Sequence, residues 1–221
     1  MNVILSIEQL ITALNKKDEH INKEKLNNYM DALRRNSKRL LKLINDIIDT
    51  AKIEAGMYRL DITNNDIIYL VEELALSMKD FIESKGIELI IDPEIEEKII
   101  ECDINDIEKC LINLIGNAMK FTPEGGKIII RISDLNDKVK ISIIDSGIGI
   151  SEKDINEIFN RFEQAYNKKS EEFGGSGIGL MLTKQIIELH KGDLVVKSEL
   201  GKGSEFSILL PLNPISGTYL S

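Results

Sequence analysis

The apolar, largely β-branched run Val139 to Ile144 leads straight into Asp145-Ser-Gly-Ile-Gly-Ile-Ser151, and no other stretch limits the fold so tightly. The run has the length and composition of a strand. The two glycines behind it force a bend, and Ser151-Glu-Lys-Asp154 has the spacing of a helix cap. Such a chain needs a sheet whose strand carries one acid to the lip of a cavity, with glycines letting backbone and ligand approach closely. A carboxylate only accepts hydrogen bonds, which suits an exocyclic amine such as that of adenine. Taken alone, Asp-x-Gly is also a common surface turn.

Two further stretches supply what the rest of a nucleotide needs. Gly174-Gly-Ser-Gly-Ile-Gly-Leu180 runs into the helical pattern Leu180, Ile186, Ile187, Leu189. A loop of this kind turns backbone N–H groups and a helix amino end towards an anion. It lacks the Lys-Ser/Thr pair of the nucleoside triphosphatase P-loop, and read without context it is equally a flexible linker. Upstream, Asn113, Asn117 and Lys120 fall four and three residues apart, on one face of a helix. Two amide oxygens and an ammonium there suit a hydrated Mg²⁺ and a phosphate chain; the alternative is a solvated face. Leu111, Ile112, Leu114 and Ile115 make this a largely buried helix.

In this order and spacing the stretches resemble the ATP-binding domain of sensor histidine kinases. Asn113 to Thr122 resembles the N box, Asp145 to Gly149 the G1 box, Ile158-Phe-Asn-Arg-Phe-Glu-Gln164 the F box and Gly175 to Gly179 the G2 box. The resemblance implies that Asp145 accepts from the adenine amino group and that Gly147 and Gly149 leave room for the base. It implies Asn117 as the Mg²⁺ ligand, Asn113 as support for the metal shell and Lys120 at the phosphates. The cradle is the amides of Gly175, Ser176, Gly177 and Gly179, followed by Leu180, and Arg161 stabilises charge at the γ-phosphate.

The chain has 221 residues and a formal charge of −9, which argues against a non-specific binder of nucleic acid or anionic membrane. Cys102 and Cys110 lack CxxC spacing or a His companion and read as buried thiols. No apolar run reaches membrane-spanning length, so a cytoplasmic fragment without direct membrane contact is expected, from a parent that is membrane-anchored.

Residues 2–15 carry an amphipathic helical stripe, 15–22 are polar, and the stripe resumes at Leu26, Met30, Leu33, Ser37, Leu40, Ile44, Ile47 and Ala51. Steps of four and three sustain a heptad. The reading is a helical hairpin, residues 1–55, that forms a homodimeric four-helix bundle. A linker, 56–61, precedes an α+β domain at 62–213 of helices and mostly antiparallel strands in two layers, and 214–221 is a tail. The resemblance sharpens these to the dimerisation hairpin and the Bergerat ATP-binding sandwich, with residues 156–175 as the ATP lid.

The family's phosphoacceptor box, His-Glu/Asp-x-x-Thr/Asn-Pro, is not found; by alignment it would lie just before Met1. His20 has no acid after it, and His190 precedes Lys191-Gly192 as a helix-closing residue. The expected function is therefore the catalytic core of a sensor histidine kinase, feeding a response regulator receiver domain, that does not label itself. The alternative is an ATP-binding and dimerisation module without kinase activity. A gyrase-type or mismatch-repair ATPase fits less well: those relatives carry a Glu where Asn113 stands and lack the amino-terminal hairpin.

Overall fold

The computed structural model describes residues 12, 23–155, 157–160 and 177–212. They fall into two compact units that part between Glu54 and Ala55. The first holds one long helix, α1 (Lys23–Glu54). The expected first helix and its turn, His20 included, lie outside the described residues. Met30, Leu40, Leu41, Ile44, Ile47 and Ile48 on α1 are each 44–61% exposed, so most of the heptad stripe is an uncovered apolar seam.

The second unit runs β1 (Thr63–Asp66), α2 (Ile67–Glu83), β2 (Glu88–Pro93), β3 (Ile99–Cys102), α3 (Ile104–Phe121), β4 (Lys127–Asp134), β5 (Lys138–Asp145), α4 (Glu152–Ile155), α5 (Gly179–Leu189), β6 (Asp193–Glu199) and β7 (Gly203–Pro211). Five strands make one sheet in the order β2-β4-β5-β7-β6. It is antiparallel except for β2 and β4, which run parallel with Ile90 opposite Ile129. Period-two alternation sets its faces. Ile128, Ile130, Ile132, Val139, Ile141 and Ile143 point inward and are buried, each contributing about 1.5–3 kcal/mol. Against them lie Ile68, Val71 and Ala75 of α2, Ile107, Leu111, Leu114 and Ile115 of α3, and Leu182, Ile186 and Ile187 of α5, all buried. Ile112, expected in that core, is exposed at 41%, because it falls on the far side of α3. The other face of the sheet carries ion pairs such as Lys140–Glu205 at 2.7 Å and Arg131–Asp92 at 2.8 Å. The architecture is a two-layer α+β sandwich. No helix among the described residues is long and apolar enough to cross a membrane.

Local chemistry places the helix ends. Asp66 caps α2 through Ile68 N–H, and Asp103 caps α3 through Asn105 and Asp106 N–H. One element differs from expectation. Thr63 to Asp66, polar residues that carry no strand pattern in the sequence, is a strand antiparallel to β3, with Asn65 opposite Ile100. Its side chains have low strand propensity, and the partner, not the segment, makes it a strand.

The turn after α5 has the Schellman hydrogen bonds, Gly192 N–H to Ile187 O at 2.9 Å and Lys191 N–H to Glu188 O at 3.0 Å. Lys191 sits there at φ +58°, where a side chain costs about 1–2 kcal/mol. Glycine would return about 0.5–1 of that as unfolded-state entropy. Lys191→Gly should therefore stabilise the chain by about 0.5–1 kcal/mol, read as a higher urea midpoint with an unchanged slope.

Candidate functional site

The site is built along α3. At its amino end, Asp103 N–H donates to His190 Nε2 at 3.0 Å, and His190 Nδ1 lies 2.8 Å from Ile186 O. These two contacts require the neutral ring with its proton on Nδ1. His190, expected as a surface or helix-closing residue, closes α5 but is wholly buried. The same end receives the segment after α1: Tyr58 Oη donates to Asp106 Oδ1 at 2.7 Å and Asp61 N–H to Asp103 Oδ2 at 2.8 Å. Burial pushes the Asp106 carboxyl up, and the Tyr58 hydrogen bond opposes that.

Half-way along α3, Cys110 Sγ lies 3.9 Å from Thr183 O, and Asn113 Nδ2 donates to Thr183 Oγ1 at 3.0 Å. Asn113 Oδ1 then faces the first turn of α5. A Cβ on Gly179 would fall 2.5 Å from that oxygen, so glycine is demanded by the asparagine packed against it. The N-cap of α5 is Ile178, whose side chain makes no cap bond, and a helix amino end of this kind suits an anion. Leu180 follows in that first turn. The helices are antiparallel, since Asp103 meets His190 and Asn113 meets Gly179 and Thr183. Asn117 and Lys120, one and two turns beyond Asn113, lie past the amino end of α5 by the helical rise. The Lys120 ammonium is 4.6 Å from the Phe121 ring centroid.

The carboxyl end of α3 holds the glycine bend. Ile148 N–H donates to Phe121 O at 3.2 Å, and a Cβ on Gly147 would sit 2.5 Å from that carbonyl. Gly149, at φ +66°, leaves a gap that the Glu199 carbonyl fills, 2.0 Å from where a Cβ would stand. The room these glycines make is thus taken by the protein's own backbone, which locks the bend against α3 and the β6–β7 turn. Asp145 ends β5, only 7% exposed, and its Oδ1 accepts Gly147 N–H at 2.8 Å. Burial raises its pKa above the ordinary 3.8, opposed by the Gly147 N–H and by Ser204.

The structure thus gathers Asn113, Asn117, Lys120, Asp145, Gly147, Gly177, Gly179 and Leu180 along one helix and the elements seated on it. Arg161, Gly175 and Ser176 lie outside the described residues. Sequence reasoning did not single out Thr183 or Ser204, and it found Asp103 only as a helix cap. A threonine among the apolar positions of α5 was the one visible signal for the first of these.

Residues 102–214 match the profile of the family described as histidine kinase-, DNA gyrase B- and HSP90-like ATPases. Among curated relatives, the circadian input-output histidine kinase CikA of Synechococcus elongatus is 32% identical over 190 residues, 85% of this chain and 25% of that protein. The chain spans between 10 and 25% of the length of the curated relatives compared. Among solved structures, full-length ShkA in complex with AMPPNP superposes with a TM-score of 0.74 at 28% identity, covering 97% of this chain and 44% of that one. Histidine kinase ThkA in complex with the response regulator protein TrrA gives 0.71 at 26%, covering 96% and 58%.

Asp145→Asn should separate binding from folding. The amide presents N–H where a carboxylate accepted, so adenine-nucleotide affinity should fall by about 1.5–3 kcal/mol, roughly ten- to hundredfold. A raised carboxyl pKa in the folded chain means that stability is lost as pH rises through it, so the amide removes a penalty at neutral pH. The melting temperature should hold or rise. The ionised acid accepts from the amine more strongly than the protonated one, so wild-type affinity should fall as pH drops through a value above 3.8. Titration calorimetry over a pH series, with melting curves, checks all three; equal ATP affinity in the two proteins would remove Asp145 from the site.

Proposed function

Because this chain belongs to the family of histidine kinase-, DNA gyrase B- and HSP90-like ATPases and aligns with sensor histidine kinases, we propose that it is the catalytic core of such a kinase. It would transfer the γ-phosphate of ATP to a histidine of the dimerisation domain, for relay to a receiver domain. The observation that carries this reading is the division of labour along α3. Its carboxyl end seats a buried acceptor, Asp145, while its middle turns Asn113 towards the uncapped amino end of α5. One rigid helix thereby spaces a base-edge acceptor from a phosphate seat.

In this reading Asp145 accepts the adenine amino group and Lys120 meets the phosphates. The N–H groups of Gly175, Ser176, Gly177 and Gly179 cradle them, and Arg161 lies at the γ-phosphate. Among the described residues no group of three His, Cys, Asp or Glu could hold a metal ion. A cation here would rest on amide oxygen, Asn117 with Asn113 in support, and on the phosphates, a hard-oxygen set that fits Mg²⁺. When bound, Mg²⁺ supplies charge neutralisation for phosphoryl transfer, which needs positioning more than covalent chemistry.

The acceptor is assigned to a histidine that these 221 residues do not carry. His190 is buried with both ring nitrogens engaged, and His20 is followed by Ile21 and Asn22 with no acid after it. The proposed domains are the hairpin 1–55, linker 56–61, catalytic domain 62–213 and tail 214–221, in a cytoplasmic setting.

Given radiolabelled ATP, the chain should bind nucleotide and remain unlabelled. The same chain carrying a His-Glu-x-x-Thr-Pro segment in helical register before Asn2 should acquire an acid-labile phosphate, and Asn117→Ala should abolish it. Label on His20 or His190 would refute the assignment of the acceptor. An extended chain that binds ATP and stays unlabelled would favour a binding module without kinase activity.

The uncovered seam of α1 supports a homodimer through residues 1–55, since one helix leaves more apolar surface than a monomer can cover. Sedimentation should give a dimer for the whole chain and a monomer for one beginning at Ile62. A monomeric whole chain at micromolar concentration would count against the bundle.

A further inference from the structure

We infer that Thr183 is a positioning residue for the cation side of the site, selecting which end of the Asn113 amide faces the nucleotide. The inference rests on the nucleotide reading above. An asparagine amide is a donor at one end and an acceptor at the other, and a half-turn about its last torsion exchanges them. A cation shell accepts only the oxygen. At Asn113 the choice is made by a neighbour on another helix. Thr183 Oγ1 takes the Nδ2 hydrogen at 3.0 Å, and Oδ1 is left against Gly179, at the uncapped start of α5.

Thr183 is only 2% exposed, so water cannot stand in for its hydroxyl. Its own turn of α5 is pinned as well, because its carbonyl lies 3.9 Å from Cys110 Sγ, one turn before Asn113 on α3. Around it Leu114 of α3 and Leu182, Ile186 and Ile187 of α5 are buried apolar residues. Valine would fill the threonine's volume there without an acceptor. A hydroxyl at this point contributes nothing to apolar packing, and among the described residues its one side-chain hydrogen bond is to Asn113. Thr183 touches neither phosphate nor cation in this assignment; it acts through Asn113. Outer contacts that orient a metal's ligands typically change metal affinity about 10- to 100-fold when removed.

The test uses the whole chain as wild type, Thr183→Ser, Thr183→Val and Asn113→Ala/Thr183→Val beside Asn113→Ala. Binding of a non-hydrolysable ATP analogue is titrated in EDTA and across a Mg²⁺ series, with melting temperatures alongside. Thr183→Val should raise the Mg²⁺ concentration needed for half-maximal tightening by about tenfold or more, with affinity in EDTA little changed. Thr183→Ser, which keeps the acceptor, should follow wild type. In the Asn113→Ala background the valine should add nothing to the Mg²⁺ curve. In the nucleotide-free chain, the Asn113 side-chain amide resonances should move in Thr183→Val and stay in place in Thr183→Ser. A valine variant with the wild-type Mg²⁺ curve overturns the inference alone. So does one whose affinity falls equally with and without Mg²⁺, the mark of a packing role. If Thr183→Val fails to fold, Thr183→Ala is read by the same curve. A wild-type chain that binds nucleotide without any response to Mg²⁺ overturns the metal assignment beneath it.

Discussion

The catalytic unit depends on how Asp103 is satisfied. Its Oδ1 caps α3, its Oδ2 takes the Asp61 N–H, and its own N–H is taken by His190 from the end of α5. One residue therefore registers the segment after α1, the start of α3 and the finish of α5. A helix end left without partners would carry four unsatisfied N–H groups; here Asp103 meets two of them, those of Asn105 and Asp106, and is itself held by two distant segments through Asp61 and His190. Because α3 is rigid, that anchorage sets where Asn113, Asn117 and Lys120 stand several turns later. The opposite end is held by the Phe121 carbonyl and Ile148 N–H.

The features of the proposed nucleotide site are costly for the fold. Asp145 is an acid held in a place that disfavours its charge, relieved by Gly147 N–H and Ser204. Gly149 and Gly203 are both at positive φ, and a Cβ on either would strike a carbonyl, that of Glu199 or that of Asp145. The bend can be this tight only because the β6–β7 turn folds over it, with Gly201 N–H to Ile148 O at 2.7 Å. Asp145 already accepts from Gly147 and Ser204, and a carboxylate has further lone pairs with which to accept from a ligand. Local instability and binding capacity share one cause.

The two units obey different economies. The catalytic unit buries its apolar residues against its own sheet, and its charges pair on the open face. Helix α1 leaves Leu40, Leu41, Ile44, Ile47 and Ile48 about half exposed, the surface that the proposed homodimer would cover. This accords with the heptad, whose purpose is a seam between helices.

Much was legible from the residues alone. Strand alternation, the caps Asp66 and Asp103, the glycine bend after Asp145 and the heptad of α1 each rest on local pattern, and local pattern needs only neighbours in the chain. The long apolar runs placed the sheet strands and helices, and the N and G1 boxes fall on α3 and on the bend after β5. Tertiary structure decided what depends on distant partners. Thr63 to Asp66 is a strand because Ile99 to Cys102 lies beside it, and β2 runs parallel to β4 although the pattern of either is indifferent to direction. Gly149 is glycine because the Glu199 carbonyl comes within reach of it. His190 is a neutral, buried helix tie, and Thr183 meets Asn113 across seventy residues of chain. Hydrogen bonds of that separation leave no periodicity in the sequence, because their geometry exists only once the helices have packed.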